Sequence, residues 1–100
     1  MAITYLNDEE RLQALITRRV KLIGSTTRLR ILRLLETQEG LSVVQIADLM
    51  EMSQPGVTHQ LLKLSNVGFI ECREGQFHRY YVNKDMVDRA LKEVAHYLEL

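Results

Sequence analysis

Apolar residues recur along this chain every three or four positions, with interruptions at a few points, and the interruptions mark helix ends. Leu12, Leu15, Ile16, Val20 and Ile23 form a first stripe. Asn7 or Asp8 opens it, Glu9 and Glu10 suit its positive end, and Gly24 stops it. Ser25 or Thr26 caps a second helix carrying Leu29, Ile31, Leu32, Leu34 and Leu35. These are too many for one narrow stripe, so this helix is expected to be covered on more than one side, at the centre of the core. Its polar side is Arg28, Arg30, Arg33 and Glu36.

Gly40 breaks the pattern. Ser42 and Gln45 then make a capping-box pair in front of a short helix with Ile46, Ala47, Leu49 and Met50. Ser53 caps the next helix, and Pro55 falls in its first turn, where a missing N–H costs nothing. Val57, Leu61 and Leu64 give this helix its buried side, with Leu62 at the margin, and Gly68 is placed to end it in a left-handed cap. Phe69, Ile70 and Cys72 begin a strand, Glu74-Gly75-Gln76 is the expected turn, and Arg79 to Val82 return. Tyr80 and Tyr81 should point to opposite faces, one toward the core and one at the base of the hairpin. Asn83 caps a last helix whose apolar positions are Met86, Val87, Ala90, Leu91, Val94 and Leu98.

The expected fold is therefore mainly α with a small β-hairpin (α+β), in the order α-α-α-α-β-β-α. A chain of 100 residues is one domain, and 46% apolar residues are enough for a compact core. The 13 basic and 13 acidic residues cancel. Zero net charge argues against a general binder of nucleic acid, but a sequence-specific reader needs only a local basic footprint. The single cysteine, Cys72, excludes an intrachain disulfide and any thiolate cluster within one chain, and its expected role is a small buried strand residue. Met1 to Thr4 show no basic region followed by an apolar run, so no secretory leader is expected, and no apolar run approaches membrane-spanning length.

The stretch Ser42 to Leu64 carries the candidate chemistry. It reads as a short helix, a tight turn and a second helix with polar side chains in its first turns, followed by a wing. That order presents a helix to the DNA major groove. Gln54, Thr58, His59 and Gln60 are the candidates for contact with base edges, and Lys63 for a phosphate. Ser53 and the amides at the helix start suit a phosphate, and Gly56 lets the helix approach the DNA backbone. In the hairpin, Arg73, Gln76, His78 and Arg79 suit the minor groove or adjacent phosphates. The competing readings are an ordinary solvated helix face and a hairpin that only covers the core. No nucleophile stands with a base and an orienting partner, and no glycine-rich phosphate loop follows a strand, so an enzyme is not expected.

Taken together, these segments resemble the ArsR/SmtB family of winged helix-turn-helix transcriptional repressors. Ser25 to Leu35 is similar to the family phrase D-P-T-R-L-R-I-L-x-L-L, departing from its opening Asp-Pro. Ser53 to Leu61 is similar to S-Q-S-T-V-S-H-H-L. Thr58 and His59 stand at its Ser-His pair, and Pro55, Gly56 and Gln60 depart from it. Gly68-Phe69-Ile70 is similar to the G-L-V step, and Gly75 through Tyr80 to Val82 to the wing. The resemblance implies a cytoplasmic bacterial or archaeal homodimer on double-stranded operator DNA. It places the dimer interface in helices at about 8–23 and 84–99, the recognition helix at about 54–67 and the wing at about 69–82.

Many members of the family release DNA on binding a metal. The C-V-C site of soft-metal sensors is absent, because Ser42-Val43-Val44 stand in its place. The last-helix pattern D-x-H-x10-H-x-x-E/H survives by half, in His96 and Glu99, with Asp85 at the first His and Asn83 at the Asp. Asp85, His96 and Glu99 are thus an incomplete ligand set for Zn or Ni at the dimer interface, beside the plainer reading as polar residues at a solvated helix end. No other cofactor is expected. The function expected is a repressor occupying a palindromic operator. The alternatives are a winged-helix protein-interaction module that modulates another regulator, and a metal-responsive repressor. An unknown protein or small-molecule effector is left open.

Overall fold

In the computed structural model, residues 7–99 are described, save the side chain of Ile23, so its place in the first apolar stripe lies outside the described residues. They form α1 (Asp8–Ile23), α2 (Thr26–Thr37), α3 (Val43–Met50), α4 (Gln54–Asn66), β1 (Ile70–Arg73), β2 (Arg79–Val82) and α5 (Lys84–Glu99). The starts follow the side-chain caps read from the sequence. Asn7 Oδ1 accepts from the Glu10 amide at 2.7 Å and Ser53 Oγ from the Gly56 amide at 3.1 Å. Ser42 and Gln45 form the reciprocal capping box. Each bond removes one of the orphan donors of a helix start and is worth about 1 kcal/mol.

The helix ends are less uniform. Gly68 has φ +77°, and the Gly68 and Phe69 amides donate to Ser65 O and Leu64 O, both at 3.0 Å. This is the double bond of a Schellman cap, and it needs a residue without Cβ strain. Gly24 stays right-handed (φ −68°), so α1 stops because Ser25 turns extended to cap α2. At the end of α3 the left-handed position falls to Glu51, with φ 54°.

The core is built around α2. Ile31, Leu32 and Leu35 are buried against Ile46 and Met50 of α3, Val57, Leu61 and Leu64 of α4, and Phe69 and Ile70. Leu29 and Leu49 stay exposed, so α2 and α3 are each covered less fully than their leucines suggest. β1 and β2 pair antiparallel with Ile70 opposite Val82 and Cys72 opposite Tyr80. Leu41 adds a bridge to Tyr80 on the outer edge of β2, with Tyr80 N donating to Leu41 O at 2.9 Å.

Two expectations for the hairpin are corrected. Cys72 is exposed. It shares a face with Ile70 but lies two residues, about 7 Å, farther out, where the wing has left the body. The turn is wider than Glu74-Gly75-Gln76: residues 74–78 all lie outside the strands, and Gly75 has no positive φ. Tyr80 packs on the core, and that burial, with Cys72 beside it, raises its phenol pKa. Tyr81, on the other face, carries the Arg73 guanidinium 3.9 Å from its ring centroid.

α1 and α5 pack together and are clamped by an ion pair between Arg19 and Glu93. Of the apolar stripe on α1, Ile16 is buried while Leu12, Leu15 and Val20 are exposed. On α5 only Ala90 is buried, and Leu98 is 78% exposed. The radius of gyration is 15.7 Å, against about 13 Å for a compact domain of this length. Among the described residues, no helix is long and apolar enough to cross a membrane.

Candidate nucleic-acid interface

The candidate interface starts from the periodicity of α4. Val57, Leu61 and Leu64 turn inward and are buried. The opposite side is therefore fixed in space, and it presents Gln54, Thr58, His59 and Lys63, all exposed. The Ser53 cap and the Gly68 cap hold the two ends of the rod. Its start points three side chains and the free amides of its first turn outward, a set able to donate to and accept from base edges and phosphate oxygens.

Leu62 departs from its expected place. It is 58% exposed and lies on this outward face, one turn beyond Thr58 and His59. An apolar side chain there suits the methyl group of thymine. Its spacing from Thr58, one turn on, is the signal that carries it past the margin to the outward face.

Gln60 is not free in the way that Thr58 and His59 are. It is half-buried, and its Oε1 accepts from Arg28 Nη1 at 3.1 Å. Gly56 also has a local explanation. A Cβ there would stand 3.0 Å from Ser53 Oγ, so the glycine makes room for the cap.

The wing separates its candidates into two kinds. Gln76 and His78 lie on the exposed loop, with Phe77 between them. Arg73 is exposed but held, bonded to Glu71 at 2.9 Å and stacked on Tyr81; the bond to Glu71 raises its pKa. Arg79 reaches back to the body, where its Nη1 donates to Gly40 O at 3.2 Å. Gly40 itself has φ +74°, and a Cβ would meet the Tyr81 hydroxyl at 2.9 Å, so two long-range contacts root the wing at this glycine.

The incomplete metal pattern is divided by its own helix. Asp85 is in the first turn of α5 and His96 in its last turn, about 16 Å apart along the axis. Among the described residues, no three His, Cys, Asp or Glu side chains stand close enough to hold one ion within a chain.

The family model described as bacterial regulatory protein, arsR family, matches residues 25–71, from the start of α2 into β1. An uncharacterized HTH-type transcriptional regulator of Methanocaldococcus jannaschii is 36% identical over 75 residues, covering 74% of this chain and 84% of the relative. Among solved structures, the homodimeric winged helix-turn-helix DNA-binding domain of a possible ArsR-family regulator from Mycobacterium bovis superposes with a TM-score of 0.73 at 26% identity, over 95% of this chain and 90% of that one. NolR from Sinorhizobium fredii shares the fold, with a TM-score of 0.71 at 24% identity over 94% and 95% of the two chains.

Proposed function

The chain belongs to the arsR family of bacterial regulatory proteins, and from that membership we propose how it works: a sequence-specific DNA-binding transcriptional regulator, a repressor that occupies a partly palindromic operator as a homodimer and carries out no enzymatic reaction. The observation that carries this reading is the outward face of α4, where Gln54, Thr58, His59 and Lys63 stand exposed on a helix whose other side is locked into the core. Thr58 and His59 read base edges, Leu62 adds a thymine contact, and Ser53 and Lys63 hold phosphates. Gln76 and His78, with the braced Arg73, follow the minor groove from the wing.

One copy of α4 reaches one half-site, so the operator needs two. The exposed leucines of α1 and α5 supply the surface for pairing. Along them runs a groove of about 500 Å³ lined by Ile16, Thr17, Val20, Val94, Tyr97 and Leu98, with Lys21 at its edge. Apolar area left in water by one chain is removed from it by a second copy, at roughly 25 cal/mol per Å². Two copies paired through α1 and α5 must set their α4 helices about one turn of duplex apart to meet both half-sites.

Selection from a random duplex pool tests this. The expected product is an enriched pair of half-sites related by a two-fold axis and spaced by about one helical turn. A pool that stays random would sink the regulator reading and favour the protein-interaction module.

A further inference from the structure

We propose that the cleft between the end of α1 and the outer side of α4 is a second anchor for the DNA sugar-phosphate backbone, with Arg18, Lys21 and Lys63 as its phosphate ligands and Arg28 as its fixed wall. This rests on the reading of α4 as the recognition helix and extends it to Arg18 and Lys21 of α1, which lie outside the sequence motifs.

The cleft has a volume of about 230 Å³ and is lined by Arg18, Lys21, Leu22, Arg28, Lys63 and Asn66. Four cations from three helices converge on it, and among the described residues no carboxylate lines it. The charge order of the chain explains how a neutral protein achieves this. From Arg11 to Leu35 there are seven cations and no acidic residue, and from Met52 to Ile70 there is again no acidic residue. Folding places α1, α2 and α4, which these stretches form, side by side, while the carboxylates fall elsewhere.

Arg28 makes the site receptive. The last carbonyls of α1 would repel an anion, since a helix ends in partial negative charge. Arg28 covers two of them, donating from Nε to Leu22 O at 2.9 Å and from Nη2 to Lys21 O at 3.3 Å, and Gln60 holds its Nη1. Its charge is thus immobilised before any ligand arrives. Arg19 is spent on Glu93, but among the described residues Arg18, Lys21 and Lys63 take part in no ion pair. Lys63 lies one turn from His59 on the reading face, so the cleft is continuous with the groove contact. That continuity favours a backbone phosphate over a free anion.

The test is an Arg18→Ala/Lys21→Ala double variant, both positions being exposed, with Arg18→Ala alone beside it and sedimentation to show that each stays a dimer, since Lys21 also edges the α1–α5 groove. Affinity for a random duplex and for the selected operator is followed by fluorescence anisotropy against salt. Losing two phosphate contacts should flatten the slope of log K against log salt by about 1.8 per protomer. Binding should weaken equally on both duplexes, leaving the operator-to-random ratio unchanged, and Lys63→Ala should flatten the slope by about 0.9. Thr58→Ala/His59→Ala should do the reverse, lowering the ratio and keeping the slope. If the wild type binds duplex and the double variant matches it in slope and affinity, the cleft is not an anchor, though the regulator reading survives. Failure of the wild type to bind any duplex overturns both. Inorganic phosphate serves as the other probe: binding lost in the double variant with the DNA slope intact would make this a free-anion site and overturn the proposal.

Discussion

Arg28 Nη1 donates to Gln60 Oε1 at 3.1 Å, joining the first turn of α2 to the middle of α4. The two residues are 32 positions apart in sequence, and the bond gives both a role that their neighbours do not announce. The Oε1 of Gln60 faces a guanidinium, and Arg28 commits three of its five N–H donors to protein oxygens.

Gln60→Ala should therefore leave sequence preference intact and lower stability by about 1 kcal/mol, the worth of a partly buried hydrogen bond. Urea denaturation and anisotropy on operator and random duplexes measure the two quantities. A variant of unchanged stability that no longer prefers the operator would return Gln60 to the base readers.

Thr58→Ala and His59→Ala act on the opposite side of the turn. Each should cost about 1–3 kcal/mol of operator preference per lost base contact. Neither side chain is buried, so the fold should hold. Full preference in the double variant would mean that another face of the protein meets the bases.

Glu51 occupies a left-handed conformation, φ 54°, at the turn between α3 and α4. A Cβ is strained there and glycine is not. Glu51→Gly should stabilise the protein by about 1 kcal/mol, which for this size raises Tm by about 4–8 °C. A fall in Tm on calorimetry would show that the side chain of Glu51 contributes more than its backbone costs.

Leu98 and Leu15, both exposed on the terminal helices, should be among the residues that hold the dimer. Leu15→Asp/Leu98→Asp places charge where apolar surface must be buried, and sedimentation should find a monomer with weakened operator binding. A dimer of wild-type stability would put the interface on another face.

Helix positions were readable because their causes are local. Asn7, Ser42, Ser53 and Gly68 act on amides and carbonyls a few residues away, and the periodic Val57, Leu61 and Leu64 state which side of α4 is buried. From these, Thr58, His59 and Lys63 follow as an outward set. Leu62 shows the limit of that logic: expected at the margin of the buried side, it is exposed, because its angular position beside Thr58 outweighs its residue type.

By itself, then, the chain determined its elements, their order and the outward side of α4, because capping, turn chemistry and helical periodicity operate within one or two turns. Only the tertiary structure decided which polar residues are already occupied, how far the wing leaves the body and exposes Cys72, and where charge collects. Gln60 with Arg28, Arg79 with Gly40 and the basic cleft of Arg18, Lys21 and Lys63 are meetings across long stretches of chain. Spacing along a sequence carries no term for such distances; packing around α2 creates them.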